Sequence, residues 1–279
     1  MQRLHTLPPN KTALQFDNLR IAPNIVCLNH MLNSPQDHQA AAGESPKTDA
    51  SRCHALLSLR AALICATLCW VVFAVLAGLM LSGRYADLDN LGLLLFRSSV
   101  GLELRGPSWA ADMTRGITEL GGVMLRHLLA TSAVAMLLLF GMRRQAAILF
   151  VTISSGWIIG ALLKLGFTRP RPTSVSHLVG VEGYSFPSGH SFNAAVVYIS
   201  LAVVLGTLSP RANVRRALVA TGIAISILVS LSRVMLGVHY PSDALAGWIA
   251  GAGWALLASA WLTMLSNQSS VSSASHSSS

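Results

Sequence analysis

The residues that could do chemistry lie in three short polar clusters between positions 164 and 243, separated by long apolar runs. The clusters are Lys164 with Arg171-Pro172, then Pro187-Ser188-Gly189-His190, then Ser232-Arg233 with His239 and Asp243. Two histidines and a carboxylate are residue types that attack electrophiles and move protons, and three cations can hold an anion. If the clusters meet in space, this combination indicates chemistry on a phosphate group.

The cations and one helix start would bind the phosphate. Lys164, Arg171 and Arg233 could surround a dianion, since arginine holds two oxygens through its planar guanidinium and lysine acts as a point charge. Ser188 and Gly189 open a helix whose free N–H groups and positive dipole end add donors. Gly189 also lets the backbone approach closely. These five residues are the predicted phosphate ligands.

The histidines would do the chemistry. His239 lies four residues before Asp243, whose carboxylate could hold one ring nitrogen as N–H and leave the other free to attack phosphorus. This spacing predicts His239 as the nucleophile, with Asp243 as its orienting acid. His190 would give a proton to the leaving alkoxide, and water would release phosphate from the phospho-histidine. We expect no cofactor and no metal, since a dinuclear centre would need more carboxylates than the clusters carry.

Each cluster also has a plainer structural explanation. Lys164 could complement the negative end of a helix, and Ser188 could be a simple N-cap. Arg233 could extend toward the membrane interface, and Asp243 could cap the last helix. Charged residues at membrane depth are costly, so their joint occurrence favours a functional site.

The composition predicts an all-α membrane protein. Of the 279 residues, 52% are hydrophobic and 11% are charged, and the mean hydropathy is +0.55. Such values are typical of a polytopic helical bundle, with the lipid bilayer as its main partner. The net charge of +9 is explained by basic cytoplasmic loops. Because the chain has no long basic run or basic-aromatic patch, we expect no nucleic-acid partner.

Six apolar segments are long enough to span a membrane. They cover approximately 61–81, 121–141, 146–166, 191–208, 217–236 and 243–265, within a membrane domain at 56–265. Residues 1–55 are predicted to be a flexible polar leader, and 266–279 a disordered Ser-rich tail. The segment 83–119 is too polar to cross and is expected outside, as short amphipathic helices on the membrane surface.

Basic residues predict the orientation. Arg143 and Arg144 lie between the second and third spans, and Arg211, Arg215 and Arg216 lie between the fourth and fifth. These positions are expected to be cytoplasmic, together with both termini, in the inner membrane of a bacterium. All three polar clusters then fall on the outer, periplasmic face, which the cluster search did not require.

The clusters match, residue for residue, the signature of the type 2 phosphatidic acid phosphatase superfamily, which also resembles vanadium-dependent haloperoxidases and bacterial acid phosphatases. The close match covers about 80 residues. The resemblance implies a helical bundle with an outward-facing site that hydrolyses phosphomonoesters or diphosphates without a metal. By position it implies the roles already given: His239 as nucleophile, His190 as acid, Asp243 as orienting acid, and Lys164, Arg171, Ser188, Gly189 and Arg233 as phosphate ligands.

A membrane lipid phosphatase is therefore the leading hypothesis. Undecaprenyl diphosphate is the first candidate substrate, beside phosphatidylglycerophosphate, phosphatidate and lipid A phosphates. A phosphotransferase that passes the phosphoryl group to another lipid or sugar would carry the same motifs. A protein that only binds or transports a lipid phosphate would not need both histidines and the orienting acid. A haloperoxidase is disfavoured because the chain is short and spans the membrane.

Overall fold

The computed structural model describes residues 58–98 and 103–276, with the side chains of all of these except 263 and 265–276. These ranges form eight helices, and their one extended pairing is an isolated bridge between Arg97 and Leu104. In chain order the helices are α1 Leu59–Leu81, α2 Ala86–Leu94, α3 Trp109–Glu119, α4 Val123–Leu139, α5 Arg143–Gly166, α6 Gly189–Gly206, α7 Ala212–Met235 and α8 Pro241–His276. The all-α prediction is confirmed, and the predicted leader at 1–55 lies outside the described residues.

Five helices, α1, α5, α6, α7 and α8, are long and apolar enough to cross a membrane. Helix α4 has 17 residues, about 25 Å, and passes the same test together with α3, from which it is bent by 42°. The described residues thus form a polytopic bundle with five or six spans. Residues 109–119 were expected in the external segment, but α3 is also the first part of this bent pair, which breaks at Gly121 and Gly122.

Glycine and proline set the helix ends beside the clusters. Gly237 has φ 75°, a left-handed conformation that ends a helix readily, and it follows α7 closely. Pro241 is the first residue of α8, where its missing N–H costs nothing. Gly237 and Pro241 therefore determine where α7 ends and where α8 begins, and the short link between these helices carries His239.

Helix α6 is the central helix of the bundle. It packs against α5, α7 and α8, and 67% of its span is buried inside the protein, against 22% for α1. Small residues allow the close approach: a Cβ on Gly247 would lie 2.5 Å from the carbonyl oxygen of Ser188, and one on Gly222 2.6 Å from that of Tyr198. The start of α6 is thus held directly against α8.

Helix α2 is docked on the start of α8. Leu93 is fully buried in an apolar cluster with Val175, Val234 and Ala244. A Cβ on Gly92 would lie 2.6 Å from the Pro241 ring, so glycine is needed for this contact. The polar segment after α1 therefore packs beside the third cluster.

The last helix is longer than expected. The sequence predicts a span ending near residue 265 and a disordered tail after it, whereas the helical backbone of α8 continues to His276. Once a helix has formed, each added residue brings one further hydrogen bond, so a Ser-rich stretch can extend it.

Candidate active site

A cavity of about 330 Å³ lies where the ends of α3, α5 and α7 meet the start of α6. Five of the eight predicted site residues line it: Lys164, Arg171, His190, Arg233 and His239. The other three contact this lining or one another: Gly189 lies beside Lys164, Asp243 beside His239, and Ser188 donates its N–H to the carbonyl of Asp243 at 3.0 Å. The three clusters therefore meet at one site, as the spacing predicts.

Arg171 is held by backbone carbonyls on three sides. Its Nε donates to Gly183 at 2.9 Å, its Nη2 to Glu182 at 2.7 Å and its Nη1 to Val238 at 2.8 Å. These bonds fix the plane of the guanidinium at the cavity wall, between the loop before α6 and the link before α8.

The other two cations are also positioned by identifiable contacts. The Nζ of Lys164 lies 3.5 Å from the carbonyl oxygen of Tyr184, and Gly189 leaves room for the end of this side chain. Arg233 is 3% exposed, and its Nη1 donates to the hydroxyl of Thr118 at 2.9 Å. The cavity lining thus carries three cations and two acids, Glu119 and Glu182, which leaves a net charge of +1 before the histidines are counted.

The ring of His239 is 1% exposed and has a defined orientation. Its Nε2 lies 3.3 Å from Nη1 of Arg171, which carries hydrogens at all times, so the contact favours an unprotonated Nε2. Its Nδ1 faces Asp243 Oδ2 at 3.7 Å and Ser185 Oγ at 3.4 Å. This tautomer places the lone pair on the nitrogen that faces the cations.

Burial governs the charge of His239. Desolvation, only partly offset by Asp243 and reinforced by Arg233 and Arg171, lowers the pKa of His239 to about 4. The imidazole is therefore neutral at physiological pH, which is the form that a nucleophile requires.

The Asp243 carboxylate is fully buried, and both of its oxygens have partners. Its Oδ2 accepts from the hydroxyl of Ser185 and from the N–H of Tyr240 at 2.9 Å. Its Oδ1 accepts from Nη1 of Arg169 at 2.6 Å. The charge beside His239 is thus compensated by an arginine outside the predicted set.

Arg169 itself lies between two carboxylates. Its Nη2 donates to Asp89 Oδ2 at 2.6 Å, and its guanidinium stacks over the ring of Tyr240 at 4.1 Å. Burial opposes its charge, but Asp243 and Asp89 outweigh that effect and raise the pKa of Arg169. Arg169 therefore stays charged in this buried position.

His190 stands in the first turn of α6 and lines the same cavity as His239. A Cβ on Gly121 would lie 3.4 Å from Cδ2 of His190, so the ring rests against the break between α3 and α4. Ser188 caps α6, accepting from the hydroxyl of Ser191 at 2.9 Å and from its N–H at 3.4 Å. The two imidazoles thus face one shared space, and the start of α6 is rigidly held.

Comparison with known proteins points to the same family as the three sequence clusters. The family model described as the PAP2 superfamily matches residues 144–266. Phosphatidylglycerophosphatase B of Bacillus subtilis is 31% identical over 156 residues, which cover 55% of this chain and 75% of that protein. The chain belongs to the PAP2 superfamily. The resemblance that the clusters indicate is thereby confirmed.

Two further comparisons extend this result. Undecaprenyl-diphosphatase of Sulfolobus acidocaldarius is 30% identical over 164 residues, covering 54% of this chain and 71% of that protein. The crystal structure of the first transmembrane PAP2-type phosphatidylglycerolphosphate phosphatase, from Bacillus subtilis, superposes with a TM-score of 0.61 at 24% identity. That superposition covers 70% of this chain and 94% of the other, and it shows that the two share a fold.

Four residues of this PAP2 site were not predicted from the sequence. They are Thr118, Asp89, Ser185 and Arg169, which contact Arg233, Asp243 or each other. Arg169 had a signal, since it is a charged residue two positions before Arg171 in the first cluster. Thr118 and Asp89 had none, because each is one polar residue among many in the segment 83–119.

Proposed function

We propose that this chain is a membrane phosphatase that hydrolyses a lipid phosphate or diphosphate through a phospho-histidine on His239. The observation that carries the proposal is the cavity in which three cations and two imidazoles converge from five segments: α5, the loop before α6, α6, α7 and the link before α8. Its volume of about 330 Å³ is near the lower end of the range for small-molecule sites, about 300–1,000 Å³. A phosphate headgroup fits this description, with the lipid tail remaining in the membrane.

In this proposal Lys164, Arg171 and Arg233 bind the phosphate oxygens. They replace water around the dianion and offset the charge that spreads over the equatorial oxygens in the transition state. Ser188 and Gly189 support this binding from the start of α6, where the helix dipole favours an anion. Gly189 lies beside Lys164, which is consistent with that role, whereas the N–H of Ser188 is donated to the carbonyl of Asp243 and its hydroxyl caps α6, so Ser188 would act by holding the helix start in place.

The chemistry proceeds in two displacements. Nε2 of His239 forms a bond to the terminal phosphorus while the bond to the leaving oxygen breaks, and His190 gives its proton to that oxygen, which is the lipid alkoxide oxygen of a monoester or the bridging oxygen of a diphosphate. The bound dianion favours the protonated form of His190. Asp243 stabilises the positive charge that develops on His239 by accepting from Nδ1, and the 3.7 Å separation would shorten in the complex.

Water completes the cycle. Neutral His190 takes a proton from a water molecule, whose oxygen attacks phosphorus and displaces Nε2 of His239. Inorganic phosphate leaves, and both imidazoles return to their starting forms. An acceptor alcohol in place of water would make the same site a phosphotransferase, so the product distinguishes the two activities.

The substrate proposal follows from the relatives. The names of two of them specify phosphatidylglycerophosphate and undecaprenyl diphosphate, one a monoester and one a diphosphate. Both present a terminal phosphate to the cations, and undecaprenyl diphosphate remains our first candidate.

Purified protein in detergent, with EDTA present, tests the function. Phosphate release is measured from undecaprenyl diphosphate, phosphatidylglycerophosphate, phosphatidate and lipid A, with and without added alcohol acceptors. We expect acceptor-independent release from at least one lipid and none from the His239→Ala variant. Product formation that depends on an acceptor would favour the phosphotransferase, and the absence of any turnover would contradict the proposal.

We also propose that the site faces the periplasm of a bacterial inner membrane, with both termini cytoplasmic. The arginines at the start of α5 and around the start of α7 support this orientation, since basic loops stay in the cytoplasm. Labelling of single cysteines in intact cells tests it. A cysteine at exposed Gly180 should react with a membrane-impermeant maleimide, and one at exposed Arg144 should not; the reverse pattern would refute the orientation.

A further inference from the structure

We propose that Asp89 and Arg169 are positioning residues of this site, which hold the Asp243 carboxylate and balance its charge so that His239 keeps its reactive form. The inference rests on the proposed function and extends it to α2, a helix too short to span the membrane. A chain of charges links α2 to the nucleophile: Asp89, Arg169, Asp243, His239.

The contacts form an uninterrupted path. The two ion pairs of Arg169, with Asp89 and with Asp243, both have N–O distances of 2.6 Å. Asp89 is 2% exposed and Asp243 is fully buried. Asp243 in turn faces Nδ1 of His239 at 3.7 Å. A buried charge is costly when unpaired, so each member of this path depends on its neighbour.

Asp89 also fixes the start of α8. It accepts from the N–H of Ser242 at 2.9 Å and from the hydroxyl of Ser242 at 2.6 Å. The hydroxyl of Ser242 accepts a further bond from Nη1 of Arg169 at 2.8 Å. Ser242, which precedes Asp243, is therefore held by both Asp89 and Arg169. Through these contacts α2 influences both the position and the charge of the orienting acid.

If Asp89 and Arg169 also balance the charge of Asp243, their removal should change the titration of His239 in a way that a loss of positioning alone would not. The charged or titratable groups around its ring lie on every element packed against it: Asp243 on α8, Arg171 in the loop before α6, His190 on α6, Arg233 on α7 and Lys164 on α5. Arg169, in the same loop as Arg171, contacts Asp243 and acts on the ring through it. Removing the cation of Arg169 makes the surroundings of His239 more negative. Removing the anion of Asp89 makes them more positive.

The test compares Arg169→Gln with Asp89→Asn in the full chain. The titration of His239 is followed by NMR of ¹³C-labelled histidine and assigned with His239→Ala. We expect the midpoint to rise in Arg169→Gln and to fall in Asp89→Asn, each by about 0.5 pH unit or more. Both variants should lose at least tenfold in kcat. Opposite shifts would support the proposal, since a merely structural defect would not separate them by sign.

Two matched controls lie on or beside the same helix. Asp87 on α2 and Arg84 before it are exposed, and Asp87→Asn and Arg84→Gln remove the same charges from the surface. Neither should move the midpoint or the turnover. Shifts of equal sign in the two test variants, or no shift in either, would overturn the proposal.

If the neutral variants do not fold, Asp89→Glu and Arg169→Lys serve instead. They keep the charges but displace them, so kcat should fall while the His239 midpoint stays within about 0.3 pH unit of wild type. A wild-type kcat in both would overturn the inference. Failure of the proposed function is seen separately, as a wild-type protein that releases no phosphate.

Discussion

The Thr118→Val substitution removes one hydroxyl from the cavity wall and keeps the shape of the side chain. Thr118 is 3% exposed, and its hydroxyl accepts from Nη1 of Arg233 at 2.9 Å. Valine cannot accept this bond, so Arg233 keeps its charge but loses the contact that orients it toward the cavity. The substitution therefore tests whether α3 contributes to phosphate binding.

The size of the effect follows from the type of bond. A hydrogen bond to a charged group contributes about 1.5–3 kcal/mol. If the bound phosphate must restore the orientation of Arg233, that energy is lost from transition-state binding. Since about 1.4 kcal/mol corresponds to a factor of ten, kcat/KM should fall by about 10–150-fold.

Thr114 provides the matched control. It lies one turn earlier on α3, is 2% exposed, and donates its hydroxyl to the carbonyl of Ala110 at 2.7 Å within the helix. Thr114→Val therefore removes a buried hydroxyl from the same helix without touching a cation, and it should leave kcat/KM within about twofold of wild type.

The assay is phosphate release in detergent micelles, with the melting temperature of each variant measured in parallel. A Thr118→Val protein with the same kcat/KM as Thr114→Val would refute the role assigned to α3. A loss explained entirely by a lower melting temperature would refute it as well.

Three further predictions follow from the packing and charge of the site. Because burial lowers the pKa of His239 to about 4, its NMR titration midpoint should lie near 4, and the ring should be neutral from pH 5 to 7. The unfolded chain binds this proton more readily, so the stability of the folded protein should fall as the pH drops from about 6.5 toward 4. A midpoint of 6.5 or higher would be inconsistent with the burial of His239. Arg171→Lys replaces a guanidinium that reaches three carbonyls with a single ammonium, so kcat/KM should drop at least about tenfold; unchanged kinetics would exclude the planar contact. Gly247→Ala places a Cβ 2.5 Å from the carbonyl oxygen of Ser188 and should cost about 1–3 kcal/mol in the free energy of unfolding, whereas Gly78→Ala, with nothing within 4 Å, should not lower the melting temperature.

The three clusters could be found from the sequence because their residue types are unusual where they occur. Lys164, Arg233 and Asp243 stand at the ends of apolar spans, where a charge is costly and therefore informative. The spacing between His239 and Asp243 also predicts a contact without any knowledge of the fold. The span pattern then brings these ends to one side of the bundle, where the structure places them around one cavity.

The supporting residues could not be found in the same way. Asp87 and Asp89 are the same residue type two positions apart, yet Asp87 is exposed and Asp89 is 2% exposed in an ion pair. The difference arises because Leu93 and Gly92 turn one side of α2 toward α8. Such long-range packing leaves no local pattern in a polar segment.

The role of α3 was obscured by its polarity. Its charged residues favoured an external amphipathic helix, whereas in the structure its last turn, with Thr118 and Glu119, lines the cavity just before the 42° bend into α4. The sequence could not distinguish the role of Arg169 from that of Arg171, since both are arginines in the same loop. The structure separates them: Arg171 faces His239, and Arg169 faces the carboxylates.

The central claim is that His239 becomes covalently phosphorylated, and trapping that species tests it most directly. The protein is mixed with a lipid substrate carrying radiolabelled terminal phosphate, quenched in alkali within the first turnover, and digested for peptide mapping. We expect an alkali-stable, acid-labile label on the peptide that contains His239, and no label in His239→Ala. Label on any other residue, or an undiminished label in His239→Ala, would contradict the account.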